Sequence, residues 1–183
     1  IDSCASGGRR NDLETMRRAV PLWRSDYAYE AVGHQAMTYG ISMWLPYHGT
    51  GTVASASASY YGGGLTKIEP YAFWSNVAPS LGFGIDIRER GLDYDALRKL
   101  DAERREVAPY FYGDYYPLTP YSLATDAWIG WQFAGQDLKG GALLLFRRQN
   151  ASTDHSVFRL RGLDPKSKYH FQALNGGEQS SVH

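Results

Sequence analysis

The feature that most constrains this chain is the alternation, within its first 45 residues, of short apolar runs with stretches of helical periodicity, punctuated by glycine or proline at the changes. Residues 1–4 read as the end of a strand, and Ala5-Ser6-Gly7-Gly8 as a turn that small residues enter readily. Asn11 or Asp12 then stands where a helix N-cap belongs. Glu14 falls in the first turn, and Leu13, Met16, Ala19 and Val20 recur at helical spacing until Pro21. Residues 22–26 read as a second strand and 27–39 as a second helix, with Gly40 in the place of a C-cap glycine. A third strand is expected over 41–45. Strands alternating with helices in this way point to βαβ units around a parallel sheet, and three such units are visible.

Beyond them the pattern loosens and then changes. Residues 49–64, rich in Ser, Ala and Gly with a Tyr60-Tyr61 pair, read as a long loop, and loops of that length are more often functional than idle. Residues 73–87 are apolar and glycine-punctuated. Residues 94–107 form a charged amphipathic helix whose Leu97 and Leu100 face inward and whose charge run is a solvated face. From Ala127 on, short strands are expected over 127–133, 142–146, 157–160 and 169–174, with Gly140-Gly141 and Asp164-Pro165 as turn chemistry between them. The organisation read from this is an α/β segment over 1–110, a Pro- and Tyr-rich linker over 111–126, and a small antiparallel β domain over 127–183. The chain opens inside a strand and closes on few strands for an independent sheet, so both ends read as cut from a larger architecture.

Composition excludes more than it selects. Acidic and basic residues balance at 19 each, which leaves no electrostatic footprint for nucleic acid or an anionic membrane. No apolar run approaches the roughly 20 residues that span a bilayer. No nucleic-acid or membrane partner is expected. A single cysteine, Cys4, excludes an intrachain disulfide and leaves zinc without its usual thiolate set, so no metal site is expected. Asn150-Ala151-Ser152 fits a glycosylation acceptor, a pattern short enough to arise by chance. Fourteen Tyr and five Trp are the informative part, because an apolar face with a polar tip suits a sugar platform as well as a half-buried packing position.

Two strings carry a family resemblance. Ser-Cys-Ala-Ser-Gly-Gly-Arg-Arg-Asn-Asp, from Ser3 to Asp12, and Trp23-Arg24-Ser25-Asp26 after it resemble the paired signatures of melibiase-type α-galactosidases, in glycoside hydrolase clan D. The run from Ile41 to Gly49 resembles that family's eighth barrel strand and its loop, and Pro109 to Pro120 resembles its bridge into a C-terminal β domain. The resemblance implies the C-terminal part of a (β/α)8 barrel followed by that domain. It places the Cys4 loop at the end of the sixth strand and Asp26 at the end of the seventh, where the family has its acid/base. The family's nucleophilic Asp lies on the fourth strand, in a portion with no counterpart in these 183 residues. Arg9 replaces a common third Gly, and Tyr27, Ala28 and Tyr29 replace an Asp/Thr-rich continuation.

The candidate site follows. A barrel presents its chemistry at the C-terminal ends of its strands, so Cys4 and Asp26 are expected at one mouth. Asp26 is the candidate catalytic acid/base, with partial desolvation beside Trp23 and Tyr27 raising its pKa; capping the following helix is its other reading. By resemblance, Cys4 and the backbone of Ser6 and Gly7 contact sugar hydroxyls and Trp23 walls the subsite, while for Cys4 a small buried hydrophobe is the alternative. Trp44 and His48 are expected as further lining at the end of the third strand, against helix packing for Trp44 and a solvated loop for His48. No cofactor is implied, since the family reaction runs between carboxylates. Retaining glycosidases need two carboxylates about 5 Å apart, and the matched motifs supply one. The expectation is a fragment of a retaining glycosidase for α-galactosides or related carbohydrate, inactive alone. The alternatives are a carbohydrate-binding half-barrel without catalysis and a self-assembling scaffold, since strands with unpaired edges favour a homo-oligomer.

Overall fold

The computed structural model describes residues 3–4, 9–19, 22–25, 30–54, 68–85, 90–136, 139–174 and 180–182. The expected alternation is present in the first half: β1 (Ser3–Cys4), α1 (Leu13–Arg18), β2 (Leu22–Trp23), α2 (Ala31–Ile41), β3 (His48–Ala54), α3 (Pro70–Asn76) and β4 (Ser80–Ile85). The four strands form one parallel sheet in the order β1-β2-β3-β4. Asp12 caps α1 by accepting from the Thr15 amide at 2.7 Å, and Glu30 caps α2 by accepting from Val32 and Gly33 at 2.6 and 2.7 Å. Each cap satisfies amides that have no partner within the helix.

Three expectations are corrected here. Residues 41–45 are not a strand: Ile41 ends α2, and hydrogen-bonded turns continue through Trp44 and Leu45, both of whose amides donate to Ile41 O. A five-residue apolar run does not distinguish strand from helix end, and Pro46 makes the stop. Gly40 accordingly lies inside α2 rather than capping it. The strand is β3, whose residues from Gly49 on lie in the stretch read as loop, and β4 adds a fourth strand to the three anticipated. β3 pairs on both sides, so residues 49–54 of the stretch read as loop are an interior strand of the described sheet.

The helix α4 (Tyr94–Val107) is capped by Asp93 and buries Leu100, with Leu97 packed beside it, as its periodicity predicts. A 3₁₀ turn over Ala108–Tyr112 leads into a second, antiparallel sheet of β5 (Asp114–Pro117), β6 (Trp128–Ala134) and β7 (Gly141–Arg147). β5 lies within 111–126 and pairs with β6 from Asp114↔Ala134 to Pro117↔Trp131. β8 (Tyr169–Phe171) and β9 (Ser180–Val182) pair with each other. The strand expected over 157–160 does not form. There the chain is held by a side chain instead: the Arg161 amide donates to Gln132 Oε1 at 2.9 Å, and Gln132 Nε2 donates to Arg161 O at 2.7 Å. One amide group thus takes the place of a ladder partner.

The hydrophobic core sits between the two sheets' elements. Tyr39, Phe73, Val77, Leu100 and Phe111 meet Ile129, Trp131, Phe133, Ala142, Leu144 and Phe146 in one cluster. No helix among the described residues is long and apolar enough to cross a membrane.

Candidate functional site

β1 and β2 run parallel and adjacent, with Ser3 opposite Leu22 and Cys4 opposite Trp23, and Gly49 of β3 continues the Cys4–Trp23 row. The C-terminal ends of β1 and β2 therefore share one edge of the sheet. Two side chains from the loop between them tie that edge together: Arg10 Nη1 donates to Cys4 O at 3.4 Å, and Asn11 Nδ2 donates to Arg24 O at 2.7 Å. Cys4 is an exposed free thiol at its strand's end, so the buried alternative for it does not hold. Asp26, Ser6 and Gly7 lie outside the described residues, and of Trp23 the backbone register alone is described.

Trp44 and His48 sit elsewhere. Trp44 is on the α2–β3 turn, half exposed, four residues before β3 begins, and His48 is the first residue of that strand. Their expected place at a strand's end rested on the misread strand over 41–45. His48 is completely buried, and its Nε2 shares a 2.9 Å hydrogen bond with Ser42 Oγ. Burial, and then the nearby Arg24 charge, hold its pKa well below the usual imidazole value. At neutral pH it is an uncharged packing residue.

Arg24 is the polar centre that sequence reasoning passed over. Its guanidinium is buried against α2, where Nη1 donates to Thr38 Oγ1 and Nη2 donates to His34 O at 3.3 Å and meets His34 Nδ1 at 3.1 Å. Its amide also donates to Gly49 O at 3.0 Å, which splices the end of β2 to β3. Burial pulls its pKa down to about 9, so it stays charged at neutral pH. The detectable signal was an Arg inside an otherwise strand-like segment, directly after Trp23.

A second buried arginine joins the two halves. Arg148, just after β7, donates through Nε to Gln35 Oε1 at 3.0 Å and through Nη1 to the carbonyls of Ser122 and Ala124 at 2.9 and 2.8 Å. Gln35 in turn donates to Ser75 Oγ at 2.9 Å. The carboxylates of Asp12 and Glu30 are occupied as helix caps, and among the described residues no group of His, Cys, Asp and Glu is placed to hold a metal. Chemically, then, the described edge offers an exposed thiol beside a neighbouring strand end held in register with it.

No protein-family profile matches the sequence. Two curated relatives do. Probable α-galactosidase C of Aspergillus terreus is 28% identical over 175 residues, which takes in 92% of this chain and 22% of that protein. The α-galactosidase C of Emericella nidulans is 25% identical over 171 residues, with the same coverage of 92% and 22%. Among solved structures, the galactosidase domain of the α-galactosidase-sucrose kinase AgaSK superposes with a TM-score of 0.70 at 20% identity, over 94% of this chain and 24% of that one. The glycoside hydrolase family 36 α-galactosidase AgaA of Geobacillus stearothermophilus, solved in complex with raffinose, gives 0.69 at 21% identity, over 89% and 23%. The chain resembles α-galactosidases along about nine tenths of its length, shares the α/β fold of the family 36 structures, and spans about a fifth to a quarter of the proteins it matches.

Proposed function

We propose that these residues are a section of a retaining α-galactosidase-type glycoside hydrolase, with 1–110 forming the last part of its (β/α)8 barrel, 111–126 the connection and 127–183 a C-terminal β domain. Asp26 is the acid/base, Cys4 with the backbone of Ser6 and Gly7 holds sugar hydroxyls, and Trp23 walls the subsite. The observation that carries this reading is the register of Cys4 with Trp23 on adjacent parallel strands, which brings both signature segments to one edge of one sheet. In the double displacement, the carboxyl of Asp26 protonates the leaving glycosidic oxygen and then, as carboxylate, takes a proton from the attacking water, while a second carboxylate bonds the anomeric carbon. Trp44 and His48 take no part, since one lies before β3 and the other is buried at its start.

These 183 residues supply one of the two carboxylates, so the chain alone does not turn over α-galactosides. The test is complementation with the missing part of a family 36 barrel and raffinose as substrate. Activity is expected to return, and Asp26→Asn to cut it by about 10²–10⁴-fold. Activated aryl galactosides suffer less, because their leaving group needs little protonation. Robust turnover by the uncomplemented chain, lost on Asp26→Asn, would place the nucleophile within this sequence and overturn the reading. A second reading, self-association, is favoured by the sheet edges: among the described residues β1 pairs with β2 alone and β4 with β3 alone. A monomer at micromolar concentration in sedimentation tells against it.

A further inference from the structure

The consecutive residues Arg10 and Asn11, between β1 and α1, each hold a carbonyl at the end of one of two neighbouring strands, Arg10 that of Cys4 and Asn11 that of Arg24. The Asn11 bond is the firmer, at 2.7 Å and part-buried, where that of Arg10 is 3.4 Å long and exposed. From the other side, the Arg24 amide donates to Gly49 O at 3.0 Å. Arg24 is therefore held at three points: by β3 through its N–H, by the loop that follows Cys4 through its carbonyl, and by α2 through its guanidinium.

Packing alone does not call for an arginine there. An apolar side chain of similar length would fill the space without the cost of burying a charge, a cost visible in the fall of the Arg24 pKa to about 9. The partners that hold the guanidinium, Thr38 Oγ1, His34 O and His34 Nδ1, are neutral and all belong to one helix. A planar fork bonded to three such atoms fixes direction as well as distance, which an aliphatic chain does not.

We infer that Arg24 and Asn11 are positioning residues for the general acid, fixing the backbone two residues before Asp26 against α2, β3 and the loop that follows Cys4. The inference rests on the reading of Asp26 as the acid/base. Displacing a catalytic group by about 1 Å can cost about 10²-fold in rate, so a strand end fixed in this way bears directly on turnover. The test has two arms. In the chain by itself, Asn11→Ala is expected to speed exchange of the Arg24 amide about fivefold while the Trp131 indole N–H, in the common core, is unchanged. In the chain complemented with the missing part of a family 36 barrel, raffinose is compared with an activated aryl galactoside. Loss of sugar contacts or of folded protein lowers turnover of both alike, whereas a displaced acid lowers only that of the substrate whose leaving group needs a proton. Asn11→Ala and Arg24→Lys are each expected to lower kcat on raffinose about 10- to 10²-fold and on the aryl substrate less than about threefold, since an ammonium keeps the charge without the fork. Failure of complementation, or raffinose turnover spared by Asp26→Asn, overturns the reading of Asp26 and this inference with it. Where Asp26→Asn shows the leaving-group pattern, equal losses on both substrates in the two variants, no loss in either, or unchanged Arg24 exchange in Asn11→Ala would overturn the inference alone.

Discussion

The two sheets of this chain are held in opposite ways. Behind the parallel sheet about half of the described buried residues are polar, with Arg24, His34, Gln35, Thr38, His48 and Thr50 all at 2% exposure or less beside apolar groups such as Leu45, Phe73 and Val77. The antiparallel sheet instead buries Ile129, Trp131, Phe133, Ala142, Leu144 and Phe146, with Gln132 as its polar exception. Apolar burial is non-directional and tolerates small displacements, whereas a hydrogen-bonded guanidinium fixes angles as well as distances. The difference teaches where each half's sequence is spent: on area in the second sheet, which stabilises, and on position in the first, which aligns the ends of β1 and β2.

That contrast breaks first, if it is wrong, at Trp131. The ring is fully buried and lies 5.3 Å from the Phe146 ring, so Trp131→Ala removes the largest apolar group of the common core. A loss of about 3–5 kcal/mol in urea unfolding is expected. A loss under about 1 kcal/mol would mean that the second sheet is not the stabilising half. Next in size is Arg148→Met, which keeps volume but strands Gln35 Oε1 and the carbonyls of Ser122 and Ala124. About 2–3 kcal/mol should be lost, with hydrogen exchange rising first in the opening turn of α2, where Arg148 also meets Val32 O. Uniform loosening of β6 and β7 instead would show that Arg148 serves its own sheet rather than joining the two.

How much of this was legible follows from the same contrast. The antiparallel strands around Trp131 and Leu144 were readable to within a residue or so: β7 alternates buried and exposed positions, and β6, buried along nearly its whole length, reads as a short apolar and aromatic run bounded by turn residues. α4 was readable for the same reason with a helical period. β3 was not: a parallel strand paired on both sides, built from His-Gly-Thr-Gly-Thr-Val-Ala, carries no alternation and looks like loop. Reading 41–45 as the strand then moved Trp44 and His48 to the wrong end of it. The pairing of the Cys4 and Trp23 strands was legible, since each short apolar run is followed by a stretch of helical periodicity. The clusters around Arg24 and Arg148 were not, because the partners of Arg148 lie up to 116 residues away and no local pattern encodes them.

A smaller effect tests the polar half by pH. Burial, and the Arg24 charge after it, hold the folded pKa of His48 well below the usual value, while the unfolded chain takes up that proton near pH 6.5. The unfolded state therefore binds more protons below about pH 6.5, and stability present above that pH is lost as pH falls toward the folded pKa, by at most about 1.4 kcal/mol per pH unit. His48→Gln, which can still hydrogen-bond Ser42, should flatten this slope between pH 7 and 5 in urea unfolding. Asp101 acts in a different window. Its burial works to raise its pKa, but the hydrogen bonds from Arg104 and Arg105 outweigh that and hold it low, so its contribution is lost below about pH 4. An unchanged slope in His48→Gln would mean that His48 is not the buried neutral group described.

The smallest effect is the sharpest on what glycine is for in each half. In the antiparallel sheet, glycine is required by contact: a Cβ on Gly113 would lie 1.8 Å from Ala134 O, and one on Gly141 2.4 Å from Phe133 O. Backbone atoms cannot give way by such amounts, so Gly113→Ala must destabilise. Gly40 in α2 is the opposite case, helical and facing empty space, so Gly40→Ala meets no clash and removes both a helix-propensity cost and some freedom of the unfolded chain. A gain of about 0.5–1 kcal/mol is expected, which for a chain of this size raises Tm by roughly 1–4 °C. A fall in Tm on Gly40→Ala would mean that another part of the molecule occupies that space in solution, and the parallel half would then be using glycine for packing, as the antiparallel half does.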